Sequence, residues 1–364
     1  MKKVLFIAAH RPDRSPSQRF RFEQYMDHLS ANGYDCSFSY LINERSDKIF
    51  YSKGNYFDKF IILLKSFFKR ISDVIAASSC DIVFIQREAF MTGTVFFERM
   101  FAMTKAKVIF DFDDSIWMQQ ETDTSANKKL LWLKRPAKTA DIIKVADLVF
   151  AGNEYLANYA RQYNAHVVIV PTTIDTEEYK PLKERAAKEL VCIGWSGSIT
   201  TIDHFCFAIP ALRELKAKYG DKIYFKVIGD KNFKEESLQI QGIGWSKNEE
   251  VAELQSFDIG IMPLPDNEWA KGKCGLKGLQ YMALGIPTVM SPVGVNKDII
   301  QQGVNGFSAS STEEWVERIS LLVEDAFLRR QIGDAGRETV EQKYSIKANQ
   351  SLYLKLFNEL SLQK

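Results

Sequence analysis

No apolar run in this chain approaches the roughly twenty residues that a membrane-spanning helix needs, and the first, VLFIAA, is cut short by His10 and Arg11. It reads as a buried strand rather than a secretory leader. Cysteine is sparse: five residues (36, 80, 192, 206 and 274), odd in number and without a C-x-x-C pair. That spacing argues against a disulfide frame or a structural zinc site and for reduced thiols, as in cytoplasm. Charge of one sign is also lacking. A net charge of +2 gives no global attraction to nucleic acid. Neither internal repeats nor low-complexity tracts are present.

What the chain does have is length and alternation. Its 364 residues suffice for two domains, each with its own core. Short apolar runs at 4–9, 81–86, 108–112, 146–151 and 167–170 alternate with helical patterns, the signature of a doubly wound α/β domain. A polar, proline-bearing stretch, 171–190, then reads as an interdomain linker. Strands at 191–195, 224–228, 240–244 and 257–262 open a second α/β run, and 326–360 is helical in pattern. Ligands in such sheets bind beyond the carboxyl ends of strands. In the first half those ends carry His10, Arg19 and Arg21, then Arg87, then Asp113 and Asp114, then Asn153. Asn153 also suits a helix cap, and Asp114-Ser115 a turn.

Two further stretches stand out. Residues 51–72 place Phe57, Phe60, Ile61, Leu64, Phe67, Phe68 and Ile71 at helical spacing, with Lys53, Lys59, Lys65, Lys69 and Arg70 against Asp58 alone. Such a helix either packs on its own sheet or lies on an anionic membrane surface. Residues 271–294, KGKCGLKGLQYMALGIPTVMSPVG, begin with a glycine-bearing loop that holds Lys273 and Lys277 and opens into a helix. Gly285 stands where that helix should stop. The exposed N–H groups and dipole of a helix start favour an anion, and two lysines there suit a diphosphate.

This last stretch, with S-P-V-G-V-N-K-D-I-I-Q-Q-G-V-N-G-F after it, resembles the nucleotide-sugar-binding half of the retaining glycosyltransferases of family 4. The resemblance implies a GT-B fold, two Rossmann-like α/β domains facing across a cleft. The N-terminal acceptor domain would span 1–175 and the nucleotide-sugar domain 176–344, with a helix at 345–364 crossing back to the first. It implies transfer of a sugar from a nucleoside-diphosphate-sugar to a saccharide or lipid-linked saccharide, as in cell-envelope polysaccharide synthesis, without metal or other cofactor. The protein is expected in the cytoplasm or peripherally on the inner membrane face through 53–71, with no nucleic-acid partner.

Residue by residue, Asp113, Lys273 and Lys277 are the expected catalytic groups. The donor contacts are Gly194, Ser196, Gly197, Ser198, Gly229, Ile243, Trp245, Cys274, Gly275, Leu276 and Gln280. His10, Arg19, Arg21, Arg87, Asp114 and Asn153 are expected at the acceptor or sugar. The chain departs from the family pattern at four positions: Gly272 and Gln280 replace its two glutamates, and Trp195 and Thr200 replace its phosphate-binding Arg and Lys. Three alternatives therefore stand beside the transferase: a nucleotide-sugar epimerase, a non-catalytic nucleotide-sugar binder, and a metal-dependent transferase using Asp111 and Asp113.

Overall fold

The computed structural model describes residues 1–119, 127–183 and 190–362; part of the expected linker, 184–189, lies outside them. The chain divides into two compact units, Met1–Thr172 with Gln350–Lys364, and Thr173–Asn349.

The first unit is built on β1 (Lys2–His10), β2 (Tyr34–Ile42), β3 (Ile82–Gln86), β4 (Lys107–Phe112), β5 (Leu148–Ala151) and β6 (Val167–Ile169). All pair in parallel in the order β2-β1-β3-β4-β5-β6. Strands covered on both faces read as unbroken apolar runs, and β3 is buried at every position. The order reverses between β1 and β3, so the carboxyl ends of those strands form the switch point where ligands of open α/β sheets sit. Part of the last helix, Ile346–Leu362, belongs to this unit: Tyr353 stacks on Tyr25 at 4.2 Å, and Phe357 lies 6.3 Å from Phe6.

The second unit holds β7 (Val191–Ser196), β8 (Ile223–Gly229), a two-stranded antiparallel pair of β9 (Lys234–Glu235) and β10 (Ile240–Gln241), then β11 (Ile243–Gly244), β12 (Ile259–Met262), β13 (Thr288–Met290) and β14 (Phe307–Ser308). Its main sheet is parallel, ordered β11-β8-β7-β12-β13-β14, with the reversal between β7 and β12. The helix Leu276–Ala283 begins at Gly275, whose φ of 72° only glycine adopts without strain. As expected, it ends at Gly285, where φ is +65°.

The sequence pattern from Gln18 to Ser30 reads as one helix, but the structure breaks it into Pro16–Arg19, a single turn at Glu23–Tyr25, and Met26–Ala31. The break falls where Phe20, Arg21 and Phe22 turn inward, each at most 3% exposed, and burying three adjacent residues defeats the periodicity of one helix. The region 326–360 is helical as expected, in Ala326–Thr339, a wider turn at Val340–Tyr344, and a last helix, Ile346–Leu362, that starts one residue after the expected 345. The basic helix spans Tyr56–Ala77, and two of its cations are not at the surface. Lys59 donates to the carbonyl of Ser52 at 2.5 Å, while Arg70 is buried against Asp73 at 2.6 Å and the carbonyls of Ala8 and Ala89. No helix among the described residues is long and apolar enough to cross a membrane.

Candidate active site

In the second unit Ser196, Gly197 and Ser198 lie at the carboxyl end of β7, where the sheet order reverses, with Gly229 at the end of the neighbouring β8. Ser196, the last residue of β7, gives its N–H to the Tyr281 hydroxyl at 2.8 Å, with its own hydroxyl 3.0 Å from the same oxygen. This fixes the end of β7 to the helix Leu276–Ala283. Gly197 follows, donating to the carbonyl of Ile228 at 2.9 Å. Ser198 then caps the next turn, with Thr201 returning the bond. Gly229, at φ 135°, would place a Cβ 2.4 Å from the Gly197 carbonyl, so the loops after β7 and β8 touch only because a side chain is missing. Gly194 serves differently: a Cβ there would meet the Phe257 ring at 2.2 Å, so it answers to core packing inside β7 rather than to a ligand.

Lys277 reaches this edge, and Lys273 stands on the loop before the same helix. Lys277 Nζ lies 3.4 Å from Thr201 Oγ1 and 4.7 Å above the Trp195 ring; Lys273 Nζ lies 5.4 Å above the Trp269 ring. Trp195, where the family pattern has an arginine, is fully buried and lends its π-face to Lys277 instead of bringing a charge. Lys273 and Lys277 also act on a residue the sequence did not single out. His204 is 9% exposed, its Nδ1 has no partner among the described residues, and burial and the two ammonium groups pull its pKa down to about 3. A buried, neutral imidazole here reflects burial together with the positive charge of Lys277 and Lys273.

Cys274 and Gly275 are buried behind the loop, and Leu276 is half-buried at the helix start. The base-pocket candidates differ in exposure. Ile243 is half-buried, while the Trp245 indole N–H donates to Glu250 Oε1 at 2.9 Å. Gln280 is buried and donates to Glu250 and Tyr179. Neither partner was among the expected site residues: Glu250 lies on the helix Lys247–Gln255, and Tyr179 in the stretch read as a linker.

In the first unit Arg87, Asp113 and Asp114 form a linked polar network with Ser17 and Gln86 at the ends of β3 and β4. Asp113 Oδ1 accepts from Ser17 Oγ at 2.5 Å and Arg87 Nε at 2.9 Å; Arg87 also reaches Asp114 at 3.1 Å, and Gln86 donates to Ser17 at 2.7 Å. Arg87 holds a left-handed φ of 61°, a strained geometry for a side chain this large. Burial alone would raise the Asp113 pKa, but Arg87 and Arg21 beside it, with the Ser17 hydroxyl, hold it below the ordinary carboxylate value. So held, Asp113 suits charge stabilisation and hydrogen-bond acceptance better than proton abstraction.

Arg21 is not placed to touch a ligand: it is 1% exposed, pairs with Asp111 at 2.5 Å, and donates to the Val170 carbonyl. Sequence read its charge but not its burial. Arg19 is 6% exposed over the Phe20 ring, and Asn153 caps the helix Glu154–Arg161 through the Leu156 N–H at 2.9 Å. His10 Nε2 lies 2.7 Å from the Tyr51 hydroxyl, and burial, with Arg14 adding to it, lowers the His10 pKa to about 4. Asp111 and Asp113, the pair a metal-dependent reading would use, are both engaged by arginine.

Comparison with known proteins places this geometry. Residues 187–325 match the family model described as "Glycosyl transferases group 1". No curated protein matches the chain. A glycosyltransferase from Rickettsia africae ESF-5 superposes with a TM-score of 0.70 at 13% identity, covering 100% of this chain and 99% of that one. Sucrose-phosphate synthase from Thermosynechococcus elongatus gives 0.68 at 12% identity, with 100% of both chains covered. HepE of Anabaena, in complex with UDP and glucose, gives 0.65 at 12% identity, covering 98% of this chain and 100% of that one. It has also been solved with UDP-glucose. At these identities the likeness carries the fold, GT-B.

Proposed function

We propose that this chain, a glycosyltransferase with a group 1 domain on a GT-B fold, moves a sugar from a nucleoside-diphosphate-sugar to a hydroxyl of a saccharide or lipid-linked saccharide, with retention, in cell-envelope polysaccharide synthesis. One observation carries the reading: Lys277 and the helix Leu276–Ala283 meet the end of β7 at the sheet's switch point, with Lys273 on the loop that leads into that helix. First-turn amides have no intrahelical acceptor, and with two ammonium groups they meet the charge of a departing diphosphate. HepE, similar in fold, is seen with UDP and glucose, which supports a nucleotide-sugar donor. No metal enters this reading, since lysines and amides supply the counter-charge and Asp111 and Asp113 are each engaged by arginine. Retention rests on the family resemblance. The test is a thermal-shift panel of UDP, GDP, ADP, CMP and their sugars, since a ligand of the native state raises its apparent stability. At least one nucleoside diphosphate should raise the melting temperature, and Lys273→Ala should lose that shift. A full shift in the variant would count against the site.

In this reading the acceptor is met at a membrane surface. The helix Tyr56–Ala77 leaves Phe57, Phe60, Leu64, Phe68 and Ile75 exposed at 76, 59, 41, 63 and 70%. They recur every three to four residues or a multiple, forming one apolar stripe with exposed Lys65 and Lys69 alongside and Lys53 just before the helix. A long stripe of aromatics with basic flanks suits an anionic lipid interface. Vesicles of phosphatidylglycerol should therefore co-sediment with the protein, and vesicles of phosphatidylcholine much less. The Phe60→Ser/Phe68→Ser variant should stay in the supernatant. Equal sedimentation by variant and wild type would refute the membrane contact.

A further inference from the structure

Position 280 lacks the carboxylate expected there, yet a carboxylate stands beside it. Gln280 Nε2 donates to Glu250 Oε1 at 3.2 Å and to the Tyr179 hydroxyl at 3.0 Å. Tyr179 in turn donates to Glu250 Oε2 at 2.7 Å, and Trp245 Nε1 donates to Oε1 at 2.9 Å. The cluster is tightly enclosed: Gln280 is 4% exposed, Glu250 8% and Tyr179 fully buried. Arg337 braces it from behind, donating to the carbonyls of Tyr179, Ala283 and Thr176.

A primary amide has two N–H donors and one carbonyl acceptor, and both donors of Gln280 are engaged. The amide therefore has a single orientation, set by its neighbours. Among the described residues nothing donates to Gln280 Oε1, and that oxygen is not among the buried atoms sealed without a partner. It is the open end of the network. Through Trp245 the same carboxylate fixes the candidate base pocket, so one acidic group organises both flanks.

We infer that Glu250 is a positioning residue that turns Gln280 into a fixed hydrogen-bond acceptor for the nucleoside hydroxyls of the donor. This rests on the donor-site reading above. The negative charge expected at position 280 is displaced to the residue behind it, and a neutral amide relays its acceptor character forward. Glutamate at 280 is then harmful, although it restores the family pattern. Two carboxylates would meet where an amide now donates, and like charges at hydrogen-bond distance cannot both stay ionised.

The experiment is calorimetric titration with whichever of UDP, GDP or ADP binds the wild-type protein, on Q280E, E250Q and the exchanged double variant E250Q/Q280E. Both single variants should bind about tenfold or more weakly. The double variant, which keeps one acid and one amide in exchanged places, should return to within about threefold of wild type. Binding by Q280E should also recover in part as pH falls from 8 to 6, since the two carboxylates then share a proton; a purely structural defect would not do so. If Q280E melts early, the isosteric E250Q decides alone, and wild-type affinity in it overturns the inference. Q280E binding as tightly as wild type overturns it too, while leaving the donor site intact. If wild type binds none of the three nucleotides, the donor site and this inference fall together.

Discussion

Replacing Lys277 with alanine lowers the rate of nucleoside-diphosphate release from the cognate sugar donor by about two to three orders of magnitude. The melting temperature of the free protein moves little. The asymmetry follows from where the side chain sits. Its ammonium group rests 3.4 Å from Thr201 Oγ1 and 4.7 Å above the buried Trp195 ring, a half-buried position that supports catalysis more than packing. Charge on the leaving diphosphate grows toward the transition state, so a fixed cation there is felt more in kcat than in KM. Lys277→Arg keeps the charge on a longer, planar group and should restore only part of the rate. Excess chelator should leave the wild-type rate unchanged. A Lys277→Ala enzyme that turned over within a fewfold of wild type would place the leaving group elsewhere.

The second large effect is on stability. Arg21→Met removes the partner of Asp111, which is fully buried in β4 and has no other arginine or lysine paired with it among the described residues. Breaking a buried pair from one side leaves an uncompensated charge and typically costs about 3–5 kcal/mol, read as a lower urea midpoint. Burial already raises the Asp111 pKa, with Arg21 opposing it. The sign of the pH dependence follows. A folded-state pKa above the unfolded value means that folding takes up a proton, so stability from that group is lost as pH rises through the interval and regained as it falls. In Arg21→Met the opposing cation is gone and the interval widens upward. The variant should therefore recover part of its loss between pH 7 and pH 5. Arg21→Met/Asp111→Leu, with no charge left to bury, should be more stable than the single variant. An Arg21→Met protein as stable as wild type would show that the pair is solvated.

How far the sequence could be read depended on the kind of signal. Alternation of apolar runs exposed both sheets, and glycine marked both ends of Leu276–Ala283, because backbone geometry acts locally. Lys273 and Lys277 were legible for the same reason: a charged loop before a helix start is a sequence-local pattern. The broken segment after β1 was not, since periodicity says nothing of Arg21 finding Asp111 ninety positions away. Nor could composition separate the cations of Tyr56–Ala77 that are buried, Lys59 and Arg70, from those that stay at the surface. Gln280 is the sharpest case. Alone it looked like a lost glutamate; the acid that compensates lies thirty residues earlier, on the helix Lys247–Gln255. Likewise His204 carried no motif, and neither its burial nor the positive charge of Lys277 and Lys273 acting on it is written in the local sequence.

At the root of the account stands a claim about where pyrophosphate rests. A crystal of the protein soaked with the nucleoside diphosphate that stabilises it most answers this directly. Phosphate oxygens should appear within about 3 Å of the Lys273 and Lys277 ammonium nitrogens and of an amide at Gly275 or Leu276, with Ser196 to Ser198 lining the other side. Ordered phosphate bound away from the end of β7, or both lysines pointing away from it, would contradict the account.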